Sequence, residues 1–599
     1  MTTREERYLE SFLPGDFFRQ IKAGGYKLDY YPPFSDRKAW KKARKLEAAD
    51  RLIALADQVS PDVPAMIYSV YRQIRTKGYS DLDKAYFQRR DSIAYLALAI
   101  CLTGDKERYM PRLMDYLVAT LEEWTWCIPS HMDWYENGPA GIYPSDLYCC
   151  ATGAMLAELV KILGFELDQE WRGITDWIGR EALDRTVYNV LERAPEAASH
   201  WWYNTNNICN WTVWCAFNCM LTAAQFERDP AKLSTELRKF YRRASVFAAS
   251  YGEDGYCDEG PHYYIRAGAM LFRAIDLMEK LRPGSAEKTY SVPKIRAILE
   301  FLPHMRIGRD SVVSYSDSQP RLNPWLSATI PAGIALKSEL LLGLAKDHLP
   351  GFGLYGDLLT ESLAVLFDSS TAARKGKSKQ APVTFFEGRI GILRSEQFSA
   401  SLKGGCNGES HNHNDLGQFE IFFDGEPVIV DPGTGIYTRK NFSDERYTIW
   451  YIRGSGHNAP VIDGVEQQFG NDYTATLELS ENKNVLHSDL SKAYPVEAGV
   501  KSFIRELNFA PDQVTVEDTV TGRQKTGSLS LMTHGKPRIG KNGIIRIGKV
   551  KLTLEGLNAV SVERMEDLCH GSSRTWQEHL YRLTLTGTEQ HYKLLFTKG

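Results

Sequence analysis

From the N-terminus to about Leu366, apolar residues recur at intervals of three and four, the spacing of one helix face. The stretch Asp91-Ser-Ile-Ala-Tyr-Leu-Ala-Leu-Ala-Ile-Cys-Leu-Thr-Gly104 is an apolar run that stops at Gly104, a C-cap signal. Asp105 then opens a second helix with Met110, Leu113, Met114, Leu117 and Leu121 on one side. Similar pairs are predicted over 147–163, 171–193, 207–224, 231–251 and 264–281. No strict repeat length joins them, which excludes an ankyrin- or TPR-like array and leaves a bundle, a solenoid or a closed toroid. Residues 1–368 are therefore expected to form a helical domain. The polar, basic stretch 369–382 has no large apolar side chain and is expected to be a linker. From 383 to 599 the period falls to two: Phe419, Ile421 and Phe423 share a face, and Asp424-Gly425 signals a type I′ hairpin. Short strands continue to the C-terminus, which predicts an antiparallel β-sandwich. The fold class is all-α followed by all-β.

A chain of 599 residues has room for two full cores, and 43% hydrophobic with 25% charged residues is a globular composition. With 72 Lys+Arg against 75 Asp+Glu, the formal charge is -3, so the basic excess of a nucleic-acid or membrane-surface protein is missing. No stretch reads as a signal peptide or a bilayer span. The ten cysteines contain no CxxC pair and fit buried thiols in a reducing compartment. Together these features lead to the expectation of a cytoplasmic protein. Aromatic residues reach 12%, which suits either a large core or stacking on sugar rings.

Three clusters hold the residue types that do chemistry. In His411-Asn-His413-Asn-Asp415, residues two apart point the same way on extended backbone, so His411 and His413 can address one site. His413, Asp431 and His457 offer N, O and N ligands that suit one Zn²⁺ with water completing a tetrahedron; the alternative is three loop side chains that never converge. In Trp201-Trp-Tyr-Asn-Thr-Asn-Asn-Ile-Cys-Asn-Trp211, Asn206, Asn207 and Asn210 lie among aromatics, where amides can donate to a carboxylate without adding charge. Helix capping and tryptophan packing would account for some of these residues and not all. In Asp254-Gly-Tyr-Cys-Asp-Glu-Gly-Pro-His-Tyr-Tyr264, Gly260-Pro261 marks a turn that presents His262, Tyr263 and Tyr264 on the first turn of a helix, with a tyrosine available as acid or base. Glu259 with Asp254 or Asp258 could alternatively form the carboxylate pair of a glycoside hydrolase.

These blocks resemble the heparinase II/III-like polysaccharide lyases, a family that includes oligoalginate lyases. The resemblance covers most of the chain. It rests on Ser410-His-Asn-His-Asn-Asp-Leu-Gly-Gln-Phe-Glu-Ile, Gly425-Glu-Pro-Val-Ile-Val-Asp-Pro-Gly433 and Arg453-Gly-Ser-Gly-His-Asn-Ala-Pro-Val-Ile-Asp-Gly464, with Glu259-Gly-Pro-His-Tyr and Asn206-Asn-Ile-Cys-Asn-Trp211 in the helical half. It implies an incomplete (α/α) toroid followed by a β-sandwich. It implies His411 as the catalytic histidine, His413, Asp431 and His457 as ligands of one structural zinc, and Tyr263 or Tyr264 as acid or base. Asn207 would neutralise the substrate carboxylate, with Asn206 and Asn210 behind it. Ile208 stands where several members have a histidine. Trp201, Trp202, Tyr437, His262 and Glu259 complete the expected substrate-binding set.

The implied reaction is β-elimination at a uronic acid, on a glycosaminoglycan, alginate or related acidic oligosaccharide or polysaccharide. The C5 proton lies α to a carboxylate, so that charge must be neutralised before a base removes the proton and an acid protonates O4. A non-catalytic carbohydrate-binding protein would keep the aromatic residues and dispense with His411 and the tyrosine. No nucleic-acid or membrane partner is expected, and self-association is left open.

Overall fold

The computed structural model describes residues 3–73, 82–132, 144–193, 201–204, 208–322, 324–349, 358–522, 527–540, 543–570 and 573–599. They fall into two compact units: Met1–Gly255 with Ile265–Leu299 and Pro324–Ser378, and Tyr256–Tyr264 with Glu300–Asn323 and Lys379–Gly599.

Six helices of the first unit touch one another in chain order: Leu82–Thr103, Leu147–Glu170, Asn210–Phe226, Gly268–Leu281, Leu326–Ala335 and Leu358–Lys375, and the last returns to the first. The first three are each followed by an outer helix, Lys106–Leu121, Ile174–Arg185 and Pro230–Ser250. The two layers follow from sequence. Leu147–Glu170 is buried on all sides over most of its length, whereas Lys106–Leu121 buries one stripe, Tyr109, Met110, Leu113, Tyr116 and Leu117. Side-chain caps fix the starts: Cys149 N–H donates to Asp146, Arg108 N–H to Asp105, and Asp229 caps a helix whose first residue is Pro230. This is the α/α layering of a toroid.

Two sequence expectations change here. Leu147–Glu170 is, by length and composition, apolar enough to cross a bilayer, but 78% of its most apolar window is buried inside this unit; an all-round core helix meets the same test. Residues 369–375 are not linker but the end of Leu358–Lys375, because Ala372 is small enough to pack against Leu326, Ile330 and Leu342 without a large side chain.

The second unit is built on two antiparallel sheets, of nine and eight strands among the described residues. The first runs Val383–Phe386, Ile390–Arg394, Phe398–Lys403, Phe419–Phe423, Glu426–Ile429, Gly527–His534, Leu580–Gly587, Asn558–Arg564, with Pro460–Ile462 also paired to Gly527–His534. The second centres on Val500–Ala510, Gln513–Gly522 and His591–Lys598. Their facing side chains make one core, with Phe398, Phe419, Ile421, Phe503, Val516, Leu583 and Phe596. The hairpin stands where the sequence puts it, with φ of 52° at Asp424 and 77° at Gly425. Phe419–Phe423 is buried at every position rather than alternately, since Glu420 and Phe422 are covered too. Glu420 is accommodated by the Ser314 N–H, which donates to its Oε1 at 2.7 Å.

Candidate active site and metal centre

The candidate site belongs to the β unit, yet two of its segments come from the helical half of the sequence. Tyr256–Tyr264 and Glu300–Asn323 leave the helical unit and pack with the sheets. Gly260 permits this entry: its φ is +90°, and a Cβ there would lie 2.9 Å from the Tyr315 carbonyl oxygen. The single turn Pro261–Tyr264 follows, held by the His262 N–H donating to Ser318 Oγ at 3.1 Å.

Consecutive residues on a helical turn point about 100° apart, so Tyr263 and Tyr264 cannot share a role. Tyr264 is 5% exposed and packs on Phe301, and burial pushes its phenol far above the ordinary value. Tyr263 is half-buried; its ring lies 4.1 Å from that of His411 at 19°, and its hydroxyl is 2.5 Å from the Tyr437 hydroxyl. Burial, the Asp317 charge and Tyr263 itself hold the Tyr437 phenol well above its usual range. Tyr437 therefore keeps its proton, and either hydroxyl can donate across this contact. The sequence placed Tyr264 among the catalytic residues; its burial removes it.

His411 occupies left-handed backbone, φ 56°, an uncommon conformation for a non-glycine residue. Its carbonyl oxygen is pinned from two sides, by the Asp317 N–H at 3.1 Å and Arg446 Nη2 at 3.0 Å. Asp317, 1% exposed, is the hub. Its Oδ2 meets His411 Nδ1 at 3.0 Å and Arg446 Nη2 at 2.9 Å, and its Oδ1 meets His413 Nε2 at 3.0 Å. Although burial opposes ionisation, bonds from His411 and His413 and the Arg446 charge hold its carboxyl well below the ordinary range. Burial works against charge on His411, but Asp317 and Glu259 outweigh it and raise its pKa. Glu259, 3% exposed, places Oε2 3.6 Å from His411 Nε2.

His413, Asp431 and His457 converge. All three are fully buried, and one ligand atom from each lies within 4.8 Å of the others. The donor set fits a metal: His413 Nδ1 and His457 Nε2 are enclosed polar atoms with no hydrogen-bond partner among the described residues. His413 Nε2 is held by Asp317, a carboxylate outside the group, the usual support of a metal-bound imidazole, while His457 Nδ1 lies 2.7 Å from Asp431 Oδ2 within it. Burial, with His457 and Arg446 nearby, lowers the His413 pKa and favours the neutral ring that ligation needs. The Gly433 N–H donates to Asp431 Oδ1 at 2.8 Å and fixes that carboxylate.

The remaining expected residues divide. Tyr437, Glu259 and His262 stand at the site, the last with its ring edge-on to Tyr263 at 5.7 Å. Trp202 does not stack on sugars: it is fully buried, donates its Nε1 to Ser145 O and packs along Phe240. Trp201 is half-buried against Trp211, and Asn210 is 1% exposed at the start of Asn210–Phe226. Asn206 and Asn207 lie outside the described residues. Asp317 and Arg446 were missed, and the sequence gives a weak signal: Ser314-Tyr-Ser-Asp-Ser-Gln319 interrupts the helical half with polar residues in no helical period.

Residues 380–581 match the family model described as Heparinase II/III-like, C-terminal. The C-terminal domain is heparinase II/III-like. Over the whole chain, a heparinase III structure superposes with a TM-score of 0.55 at 12% identity, covering 97% of this chain and 93% of that one. A second heparinase III, with methylated lysines, gives 0.52 at 14% identity over 98% and 93%, and a mutant of the heparan sulfate lyase HepC from Pedobacter heparinus gives 0.50 at 16% over 100% and 93%. No curated protein sequence matches the chain. The chain thus shares the fold of these heparinase-type structures, helical region first and β-sheets second.

Proposed function

We propose that the protein is a polysaccharide or oligosaccharide lyase that cleaves a uronic-acid-containing glycan of glycosaminoglycan type by β-elimination, leaving a 4,5-unsaturated uronate. The observation that carries this reading is the pairing of Tyr263 with His411, a half-buried phenol stacked on an imidazole whose Nδ1 is tied to Asp317. With that nitrogen engaged, His411 has Nε2 left to meet a proton or a carboxylate oxygen.

Removing the C5 proton builds negative charge on a group already bearing a carboxylate, so a donor must face that carboxylate; loss of one such donor costs about 2.7–4 kcal/mol of barrier. This contact is assigned to Asn207, for which the sequence resemblance is the support, with help from His411 when its Nε2 carries a proton. Tyr263, its hydroxyl held against that of Tyr437, passes a proton to O4 of the leaving sugar. When the two groups are syn, Tyr263 starts as the phenolate, takes the C5 proton and relays it to O4. When they are anti, His411 takes the C5 proton at Nε2 and the Tyr263 hydroxyl gives its own proton to O4. His413, Asp431 and His457 would hold one zinc ion, which would supply a structural cross-link between the loops bearing those residues. Cytoplasmic location belongs to the same reading, and the ten cysteines are free thiols.

Hydrolysis has less support, because it needs a free carboxylate pair and Glu259 Oε2 faces His411 instead. The test is digestion of heparan sulfate, hyaluronan, chondroitin, alginate and glucuronan oligomers, followed by ultraviolet absorbance of the unsaturated product. Absorbance from a glycosaminoglycan supports the reading, absorbance from alginate alone moves the substrate class, and new reducing ends without absorbance overturn elimination.

A further inference from the structure

Resting on this lyase reading of His411, we infer that Asp317 is a positioning residue that sets the tautomers of two imidazoles at once, readying His413 for a metal ion and His411 for the substrate. The argument is one of donors and acceptors. Asp317 lies 2.9 Å from the Arg446 guanidinium, which is always a donor, so its carboxylate acts as acceptor only. Both ring nitrogens that face it, His411 Nδ1 and His413 Nε2, stand at 3.0 Å and must then carry N–H. A neutral imidazole has one N–H, so the lone pairs fall on the opposite nitrogens. For His413 that is Nδ1, an enclosed atom without a hydrogen-bond partner among the described residues, in a ring grouped with Asp431 and His457. For His411 it is Nε2, whose 3.6 Å separation from Glu259 is too long for a hydrogen bond. Flipping the His413 tautomer would turn its unpartnered nitrogen into a donor, and flipping that of His411 would remove the acceptor that takes the C5 proton.

The two carboxylate oxygens have different loads, and this gives a directional test. Oδ2 receives Arg446 and His411, while Oδ1 receives His413, with Thr434 Oγ1 at 3.4 Å. In Asp317→Asn the amide oxygen stays against Arg446 and His411, because an NH₂ there would face the guanidinium. The NH₂ group is then turned to His413, whose Nε2 must become the acceptor and whose Nδ1 gains the proton. The metal set is broken while the His411 contact is kept.

The experiment measures zinc affinity of the full-length protein by competition with a chromogenic chelator, for wild type, Asp317→Asn and Arg446→Gln, beside the rise in Tm on adding zinc. We expect Asp317→Asn to bind zinc about 10–100-fold more weakly, the usual effect of losing an outer partner of a ligand, and to lose the zinc-dependent rise measured against its own metal-free Tm. Arg446→Gln, which leaves both oxygens as acceptors, keeps affinity within about threefold. Equal zinc affinity in Asp317→Asn and wild type overturns the inference, and so does an equal loss in both variants, which would indicate packing rather than proton placement. If Asp317→Asn fails to fold, ring-nitrogen NMR of ¹⁵N-histidine-labelled wild type decides: Nε2–H on His413 supports the inference and Nδ1–H overturns it. None of these readouts uses a glycan. Failure of every substrate to be cleaved would refute the lyase reading and leave the metal half of this inference intact.

Discussion

At Tyr263 and Tyr264 one position of helical turn separates a phenol at the site from a phenol in the core. Tyr263→Phe is expected to lower kcat by at least about 100-fold with Tm unchanged, since only a proton donor is lost. Tyr264→Phe should keep most of kcat, and equal loss in both variants would show that the Tyr263 hydroxyl, which faces Tyr437, is not the acid. Motif counting could not choose between neighbours, because the choice lies in which side of the turn is covered, here by Phe301. His413→Ala should lose zinc and thermal stability together. Full zinc content by metal analysis would remove His413 from the ligand set. The group His413, Asp431 and His457 was legible because a His, a carboxylate and a His carry their chemistry in their identity. Asp317 was not, because a lone aspartate in a serine-rich stretch becomes a hub only when His411, His413 and Arg446 arrive from elsewhere in the chain.

Elements explain how the site holds its shape. Arg505, fully buried in Val500–Ala510, pairs through two nitrogens with Asp518 at 2.7 and 2.6 Å. Its third nitrogen donates to Gly417 O at 2.6 Å and Asn458 O at 2.8 Å, the ends of the segments that carry His413 and His457. Arg505→Ala would leave Asp518 charged and enclosed and both carbonyls bare. Such a loss costs about 3–5 kcal/mol, to be read as a lower urea midpoint, and the same variant should bind zinc more weakly. A midpoint shift below about 1 kcal/mol would show that water replaces the arginine. Helix and strand types were legible from period alone. Buried-on-both-faces elements were the exception: Phe419–Phe423 hides a glutamate in an apolar run, and Leu147–Glu170 looks fit for a bilayer because its neighbours, not its own sequence, surround it.

On the scale of the whole molecule, each unit has its own core and its own pH sensitivity. In the helical unit Glu236 is 3% exposed, both its oxygens lack hydrogen-bond partners among the described residues, and Lys232 Nζ stands 3.9 Å away. Burial, then the Glu227 charge, raises its pKa to about 7. The folded state holds this proton more tightly than the unfolded chain, so the stabilisation is whole below about pH 4.5 and is lost as pH rises through about 7. Glu236→Gln stays neutral throughout and should gain on wild type by about 1–3 kcal/mol between roughly pH 5 and pH 8. A difference in stability that does not change with pH would show that Glu236 ionises normally.

The sequence alone determined the order of the two architectures, the hairpin at Asp424-Gly425, the three metal-type ligands and the resemblance to heparinase-type lyases. Each of these is written in local spacing or in residue chemistry, which survive without coordinates. Tertiary structure decided which tyrosine faces His411, that Trp202 and Asn210 are enclosed, and that Tyr256–Tyr264 and Glu300–Asn323 leave the helices to join the sheets. Those outcomes depend on burial and on contacts between residues far apart in the chain, and neither has a period that a sequence can display.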